Sequence, residues 1–372
     1  MMNVSYWEHK TWLSNIDFTI IGSGIVGLHC ALRLREKHPK SKIVVLERGT
    51  LPNGASTKNA GFACFGSLSE ILDDLQHHTE EEVTDLVNKR WTGLQLLREQ
   101  IGDKSLQYKN YGGYELFEEK DSSLFSDCTQ QLKTINQLLH PIFKKDVFSV
   151  VDNLFAFQKT HQQYIYNAFE AQIDTGRMMQ SLLQLCAKKN IVVLNGVEVL
   201  SFEENTSKVT LQTNGFGITK HKLFITTNGF AKHLIDTEDI IPARVQILIT
   251  KPIPNLHIKG TFHLDKGYYY FRNIDNRILL GGGRNLDFKT EETTTNGLTE
   301  IIQNKLNTLL HAVILPQQKV EIEHRWSGIM GIGKKKSPIV KQVSEHVFCG
   351  IRLGGMGIAI GSLIGKETAD LL

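Results

Sequence analysis

No two cysteines in this sequence lie close enough in the chain to form a CxxC pair. The five present, Cys30, Cys64, Cys128, Cys186 and Cys349, are odd in number and widely scattered. That argues against a disulfide framework or a zinc site and suits reduced thiols in the cytoplasm. Long apolar runs are missing too: nothing approaches the roughly 18 uninterrupted residues of a membrane span. The first apolar segment, Phe18 to Ile21, begins too late and is too short for a signal core. Charge of one sign is also scarce, since 42 Lys and Arg against 39 Asp and Glu leave +3. A nucleic-acid partner is not expected from so mild a balance, and Lys334, Lys335 and Lys336 read as a solvated basic loop. There is no internal repeat, low-complexity tract or flexible linker.

What the chain does have is the makeup of a globular protein with a large core, 41% apolar and 22% charged. Its 372 residues exceed what one compact core usually supports, so two domains are expected, with the chain crossing between them. Phe18-Thr-Ile-Ile21 reads as a strand, Ile25 to Arg35 as a helix closed by Pro39, and Lys42 to Glu47 as a second strand, the length of one βαβ crossover. Helices follow at Glu80 to Gln100 and at Leu124 to Leu139, the latter ending before Pro141, with a strand between them around Tyr111 to Phe117. Asp174-Thr-Gly-Arg177 starts a helix that runs through Cys186 to the strand Ile191 to Leu194, and strands around Val199 and Val209 come next. Phe224 to Thr227 is a buried strand ending at Asn228-Gly229. Val245 to Thr250, Gly267 to Arg272 and Arg277 to Leu280 predict an antiparallel sheet. Glu300 to Leu310 reads as a helix, and Val347 to Cys349 as a strand leading through glycines into a final helix.

Gly22-Ser-Gly24-Ile25-Val26-Gly27 joins the first strand to the first helix. Backbone N–H groups and the positive helix end would there meet a pyrophosphate. Glu47 ends the second strand twenty residues after Gly27, where a carboxylate can accept from both hydroxyls of an unphosphorylated ribose. Strand, glycines, helix, strand and acid in register read as a dinucleotide site. Beyond it, Gly54-Ala-Ser56-Thr-Lys58-Asn59-Ala60-Gly61 adds small hydroxyl and amide residues that suit a flavin.

At these residues the sequence resembles the FAD-dependent amine oxidases of the D-amino-acid oxidase, glycine oxidase, sarcosine oxidase and γ-glutamylputrescine oxidase family. Ser56, Lys58, Asn59 and Gly61 match the segment that runs under the flavin in that family. Ser5-Tyr6-Trp7, Asp174-Thr-Gly-Arg177, Thr226-Thr227-Asn228-Gly229, Tyr270-Phe-Arg272 through Gly283, His324-Arg-Trp326-Ser-Gly328, Ser337-Pro-Ile339 and Gly350-Ile-Arg352 through Gly354-Gly355-Met356-Gly357-Ile358 carry the resemblance along nearly the whole chain. It implies an α/β fold: a glutathione-reductase-like FAD-binding Rossmann domain interleaved with an α+β antiparallel-sheet substrate domain. The expected division is 1–84, 165–241 and 325–372 for FAD, and 85–164 and 242–324 for substrate. Besides the motifs already named, Arg48 and Val197 are expected at the cofactor, Val197 through a backbone group meeting the adenine.

The resemblance also implies oxidation of a C–N bond in a small amine or amino acid by hydride transfer to flavin N5, giving an imine that water hydrolyses. Tyr270, Arg272 and Arg352 are the candidate substrate-site residues. Tyr270 and Arg272, two apart on one strand, share a face, and an arginine fork can hold a carboxylate. Trp326 is expected among the cofactor residues, packing at the domain boundary and not over substrate. Monomeric sarcosine oxidases attach their flavin to a cysteine in the stretch matching Gly328 to Val347, which here has none, so FAD is expected to be noncovalent. They also carry a lysine on the strand matching Ile278 to Leu280, here wholly apolar, so oxygen need not be the electron acceptor. A flavin-dependent enzyme of tRNA wobble-uridine modification and a nonenzymatic flavin-bound subunit are the alternative readings.

Overall fold

The computed structural model describes residues 4–236 and 239–372. A six-stranded sheet runs in the order Ile339–Gln342, Val347–Ile351, Lys222–Ile225, Phe18–Ile21, Ile43–Glu47, Val192–Asn195. It is parallel except for its first strand. Alternation sorts each strand's side chains between two faces. Phe18, Ile20, Ile43 and Val45 pack under the helices Ile25–Lys37, Thr175–Lys188 and Gly357–Asp370. Ile21, Val44 and Leu46 face the three-stranded antiparallel sheet Val199–Glu204, Val209–Thr213, Gly217–Lys220. Glycines let the final helix approach the first: a Cβ on Gly365 would stand 2.5 Å from the Val26 carbonyl oxygen.

The second layer is an eight-stranded sheet, in the order Ile322–Ile332, Ile241–Thr250, Arg277–Gly282, Tyr269–Ile274, Thr261–Leu264, Gly113–Glu115, Gln163–Asn167, Phe148–Asp152. Its pairings are antiparallel apart from that between Thr261–Leu264 and Gly113–Glu115. On one face Phe262, Tyr269 and Phe271 join Ile302, Leu306 and Leu309 of the helix Glu300–Leu309. Under the far end, Phe148 and Ile165 pack on the helices Glu80–Ile101 and Ser122–Phe143. The face bearing Tyr270 turns instead toward the first layer, with Ala60, Phe62, Ile247 and Leu279.

Some boundaries differ from the sequence expectation. The helix expected to stop before Pro141 runs to Phe143 and closes at Lys144 in the left-handed region. A proline this near the C-terminus removes only one of the last helical hydrogen bonds. The strand Thr261–Leu264 had no counterpart in the sequence reading. The four expected domain crossings, at 84/85, 164/165, 241/242 and 324/325, all fall within elements: the helix Glu80–Ile101 and three strands of the eight-stranded sheet.

Candidate active site

A single cavity of about 910 Å³ runs from Glu47, Arg48 and Val197, past the Gly22–Gly24 loop and the 54–61 segment, to His263, Tyr270 and Arg284. At its nucleotide end Gly22 has φ +102, a conformation glycine adopts freely. Ser56 Oγ accepts from Ile25 N at 2.9 Å and so caps the first helix. Glu47 is buried, and each of its oxygens is already engaged. Oε2 accepts from Ser23 N at 3.2 Å and Ser23 Oγ at 2.8 Å, and Oε1 from Gly49 N at 2.9 Å. A carboxylate offers about four acceptor sites, so capacity remains for ribose hydroxyls. Ser23 was missed by the sequence reading because it is the unspecified residue between the two glycines. The Val197 N–H is committed to the Glu47 carbonyl at 2.9 Å, which leaves the Val197 carbonyl as the group able to meet an adenine.

The 55–61 segment is fixed by one amide. Asn59 Nδ2 donates to the carbonyls of Ala55 and Ser56, both at 3.0 Å, while its Oδ1 accepts from Gly61 N at 2.8 Å and Thr175 Oγ1 at 2.9 Å. The motif starting the helix Thr175–Lys188 is thereby tied to the motif under the cavity. From the other side Asn228, at φ +47, accepts on Oδ1 from Arg352 N at 3.0 Å and Leu353 N at 3.2 Å. Those two bonds hold the loop carrying Gly354 and Gly355, which leads through Met356 to the start of the final helix at Gly357 and Ile358. The cavity thus meets two helix N-termini and a row of backbone groups, and its volume falls in the range of cofactor sites. These features fit FAD.

Of the residues expected at the cofactor, Gly27, Gly229 and Trp326 do not line the cavity. Gly27 and Gly229 are packing positions: a Cβ would stand 2.0 Å from the Gly22 carbonyl oxygen and 2.5 Å from that of Met330, respectively. Trp326 lies at the layer boundary, where its Nε1 donates to the Lys58 carbonyl at 3.0 Å. Gly22, Gly24, Ile25, Val26, Glu47, Arg48, Ser56, Lys58, Asn59, Ala60, Gly61, Val197, Thr227, Asn228, Gly328, Gly354, Gly355, Met356, Gly357 and Ile358 all reach it.

The substrate-site candidates separate. Tyr270 lines the cavity, its ring edge-on to Phe62 at 5.4 Å, and burial raises its hydroxyl pKa, keeping the proton on oxygen. Arg272 does share the Tyr270 face, but two residues further along the strand it passes beneath the Gly61 turn. There its Nη2 donates to the Ile173 carbonyl at 2.9 Å, outside the cavity lining. Burial pulls its pKa down to about 10, with Asp174 and Asp275 opposing. Arg352 also lies outside the lining. Its Nε and Nη2 donate to the Ser337 carbonyl at 2.9 and 2.7 Å, and Nη1 pairs with Asp239. Neither guanidinium is placed to hold a ligand in the cavity, which corrects the expectation for both.

His263, Lys266, Arg284, Glu70 and Asp73 line the same end and were not anticipated. His263 faces Tyr270 across the strand pair and is edge-on to Phe62 at 5.2 Å. Its Nε2 meets Glu170 Oε1 at 2.5 Å, both side chains buried. Burial opposes the imidazolium, but the Glu170 carboxylate outweighs it and raises the pKa to about 9. The alternation of Thr261-Phe-His-Leu264 between Gly260 and Asp265 is the signal that could have found this strand. For Arg284 the signal is its place directly after three glycines.

Among the described residues, no helix is long and apolar enough to cross a membrane, and no group of three or more His, Cys, Asp or Glu is placed to hold a metal ion.

The family described as FAD dependent oxidoreductase matches residues 17–371. A curated relative from Haemophilus influenzae, called a probable oxidoreductase, is 21% identical over 410 residues, spanning 100% of this chain and 90% of its own. Among solved structures, the L-proline dehydrogenase of P. horikoshii superposes with TM-score 0.75 at 15% identity over 96% of this chain and 93% of that one. The glycine oxidase of Geobacillus kaustophilus superposes with TM-score 0.75 at 18% identity, over 95% and 94%.

Proposed function

We propose that this chain, which belongs to the FAD dependent oxidoreductase family, oxidises a C–N bond in a small amine or amino acid, with FAD held noncovalently. The observation that carries this reading is the continuity of one cavity from the nucleotide loop at Gly22–Gly24 to the Tyr270 wall. A dinucleotide laid along the first half would bring its ring system under the second. Glu47 would take the ribose, the first-turn N–H groups of the helix Ile25–Lys37 the pyrophosphate, and the start of the helix Gly357–Asp370 the polar edge of the ring. Bound there, the flavin supplies the hydride acceptor, and the substrate leaves as an imine that water hydrolyses.

The protein's own part is placement and exclusion of water. Phe62, Val245 and Ile247 give the chamber apolar walls, while Tyr270, protonated, offers one hydroxyl that can donate to substrate or accept from an amine. No side chain need remove a proton if the amine binds neutral, and His263, paired with Glu170, holds its proton through neutral pH. The free, buried cysteines support a reducing compartment, the cytoplasm, as its place of work.

The test has two stages. Acid precipitation of the yellow protein should release FAD, and not FMN, into the supernatant; flavin retained by the pellet would overturn noncovalent binding. The holoenzyme, mixed without oxygen with a panel of amino acids, N-methyl amino acids and polyamines, should lose its visible flavin absorbance with at least one of them. No bleaching across the panel would overturn the reading.

A further inference from the structure

One row of strand partners in the eight-stranded sheet sets Glu115, His263 and Tyr270 side by side. Glu115 is the partner of His263 between the parallel strands Gly113–Glu115 and Thr261–Leu264, and His263 is the partner of Tyr270 on the next strand. Such partners project from the same face with Cβ atoms about 5 Å apart. Tyr270 lines the flavin cavity, Glu115 lines a second pocket of about 10 Å³, and His263 alone lines both. Glu170 enters the small pocket from the segment after the strand Gln163–Asn167. Gly113 leaves it room, since a Cβ there would stand 2.3 Å from Glu170 Oε2.

Two acids therefore meet behind one imidazole. Glu115, 4% exposed, accepts on Oε1 from Ser67 Oγ at 3.0 Å and from Ser69 Oγ, and on Oε2 from Ser69 N at 3.1 Å. Asn167 lines the same pocket and is 3% exposed. Its Oδ1 accepts from Phe169 N at 3.0 Å, which fixes the orientation of the amide, and its Nδ2 has no partner among the described residues. A buried donor of this kind needs an acceptor. About 10 Å³ is the lower bound for a single water, which also needs polar partners on several sides. The donors and acceptors match a water and not a cation: a water oxygen accepts from Nδ2, and its two hydrogens go to the two carboxylates, whereas an amide N–H would face a metal ion with the wrong sign.

We propose that this pocket binds one water molecule, which accepts from Asn167 Nδ2 and donates to Glu115 and Glu170, so that two acids instead of one hold the charge of His263 at the flavin cavity. Glu115 is a positioning residue: it lines no part of the cavity and acts through the water and Glu170. The inference is independent of which bond the cavity oxidises. Other groups around the imidazole do not replace Glu115. Glu70, of the helix Leu68–Leu75, is occupied in capping Ser67 N at 2.9 Å, Lys266 is paired with Asp73, and Tyr270 keeps its proton. Burial opposes the imidazolium, and Glu170, then Glu70 and Glu115, favour it. Burial also pushes the Glu115 carboxyl up against the pull of its three donors, yet it is ionised where His263 titrates.

Two measurements on the FAD-loaded protein test this. The first needs no variant: a high-resolution crystal structure should show one water within hydrogen-bond reach of Asn167 Nδ2, Glu115 and Glu170. A pocket without it, or a cation in its place, would overturn the site. The second follows the His263 ring by NMR on protein carrying nitrogen-labelled histidine, with its signal identified as the one lost in His263→Asn. In the unaltered protein it should titrate near pH 9. Glu115→Gln, which keeps the size and removes the charge, should lower that titration by about one pH unit or more. Glu115→Asp, which keeps the charge and draws it back from the water, should lower it less. A Glu115 that only braces the two serines would cost melting temperature in both variants and leave the His263 titration where it was, and that result would overturn its role.

Discussion

The two halves of the cavity are built differently. The nucleotide half is made of backbone: Gly22, Gly24, the start of a helix, the turn at Gly61 and the Gly354-Gly355 loop, braced by Ser56, Asn59 and Asn228. The substrate half is made of side chains from distant segments, Phe62, Glu170, His263, Tyr270 and Arg284, brought together only when the eight-stranded sheet forms. Backbone sites tolerate no added volume and are indifferent to most side-chain chemistry. Side-chain sites depend on which charge meets which partner.

Charge should therefore matter most in the second half. Glu170→Gln leaves His263 buried without its acid, and breaking such a pair costs on the order of 3–5 kcal/mol. The pH dependence follows from the His263 pKa, raised to about 9. The pair's stabilisation is fully present below the ordinary histidine value of about 6.5 and is lost as pH rises through about 9. The melting temperature of the unaltered protein should drop toward that of Glu170→Gln between pH 7 and pH 10. A gap between the two that stays constant over that window would contradict an imidazolium at His263.

Volume should matter most in the first half. Gly27→Ala would put a methyl against the Gly22 carbonyl and should cost about 3 kcal/mol, the upper end for overpacking, with loss of bound FAD. Gly217→Ala, outside the cavity, where a Cβ would come no nearer than 3.8 Å to the Leu211 carbonyl oxygen, should change neither melting temperature nor flavin content. Similar losses in the two variants would break the comparison.

How much could be read beforehand follows the same division. The Gly22 to Gly27 spacing, Glu47, and the Ser56 to Gly61 segment were legible because a phosphate-binding turn constrains residues that are close in sequence. The same local logic located the final glycine loop. The arginines were legible as arginines but not by partner. Arg272 shares the face of Tyr270, yet the Ile173 carbonyl, ninety-nine residues away, takes its guanidinium, and Arg352 is claimed by Ser337 and Asp239. His263 stayed hidden because its strand is only four residues long and shows its meaning only beside Tyr270 and Glu170.

Two smaller effects sharpen the contrast. Glu47→Gln keeps the volume and removes the charge, so FAD affinity should fall by about 1.5–3 kcal/mol, as for a hydrogen bond to a charged group. Equilibrium dialysis at limiting FAD checks it, and unchanged occupancy would remove Glu47 from the ribose. Arg352→Met should cost about 1–3 kcal/mol of stability, since the guanidinium is itself buried and its loss leaves the Ser337 carbonyl unpaired, and should leave anaerobic flavin reduction by the best amine as it was. A loss of flavin reduction with FAD still bound would return Arg352 to the substrate site.

The central claim, that the two halves form one site for C–N oxidation, is tested most directly by a single anaerobic turnover with product analysis. The FAD-loaded enzyme is mixed with the amine that bleaches it fastest, and reduced flavin, carbonyl product and released ammonia or amine are counted together. One carbonyl and one nitrogen product for each flavin reduced is the expected result. Flavin reduced without a matching carbonyl and nitrogen product would contradict the account.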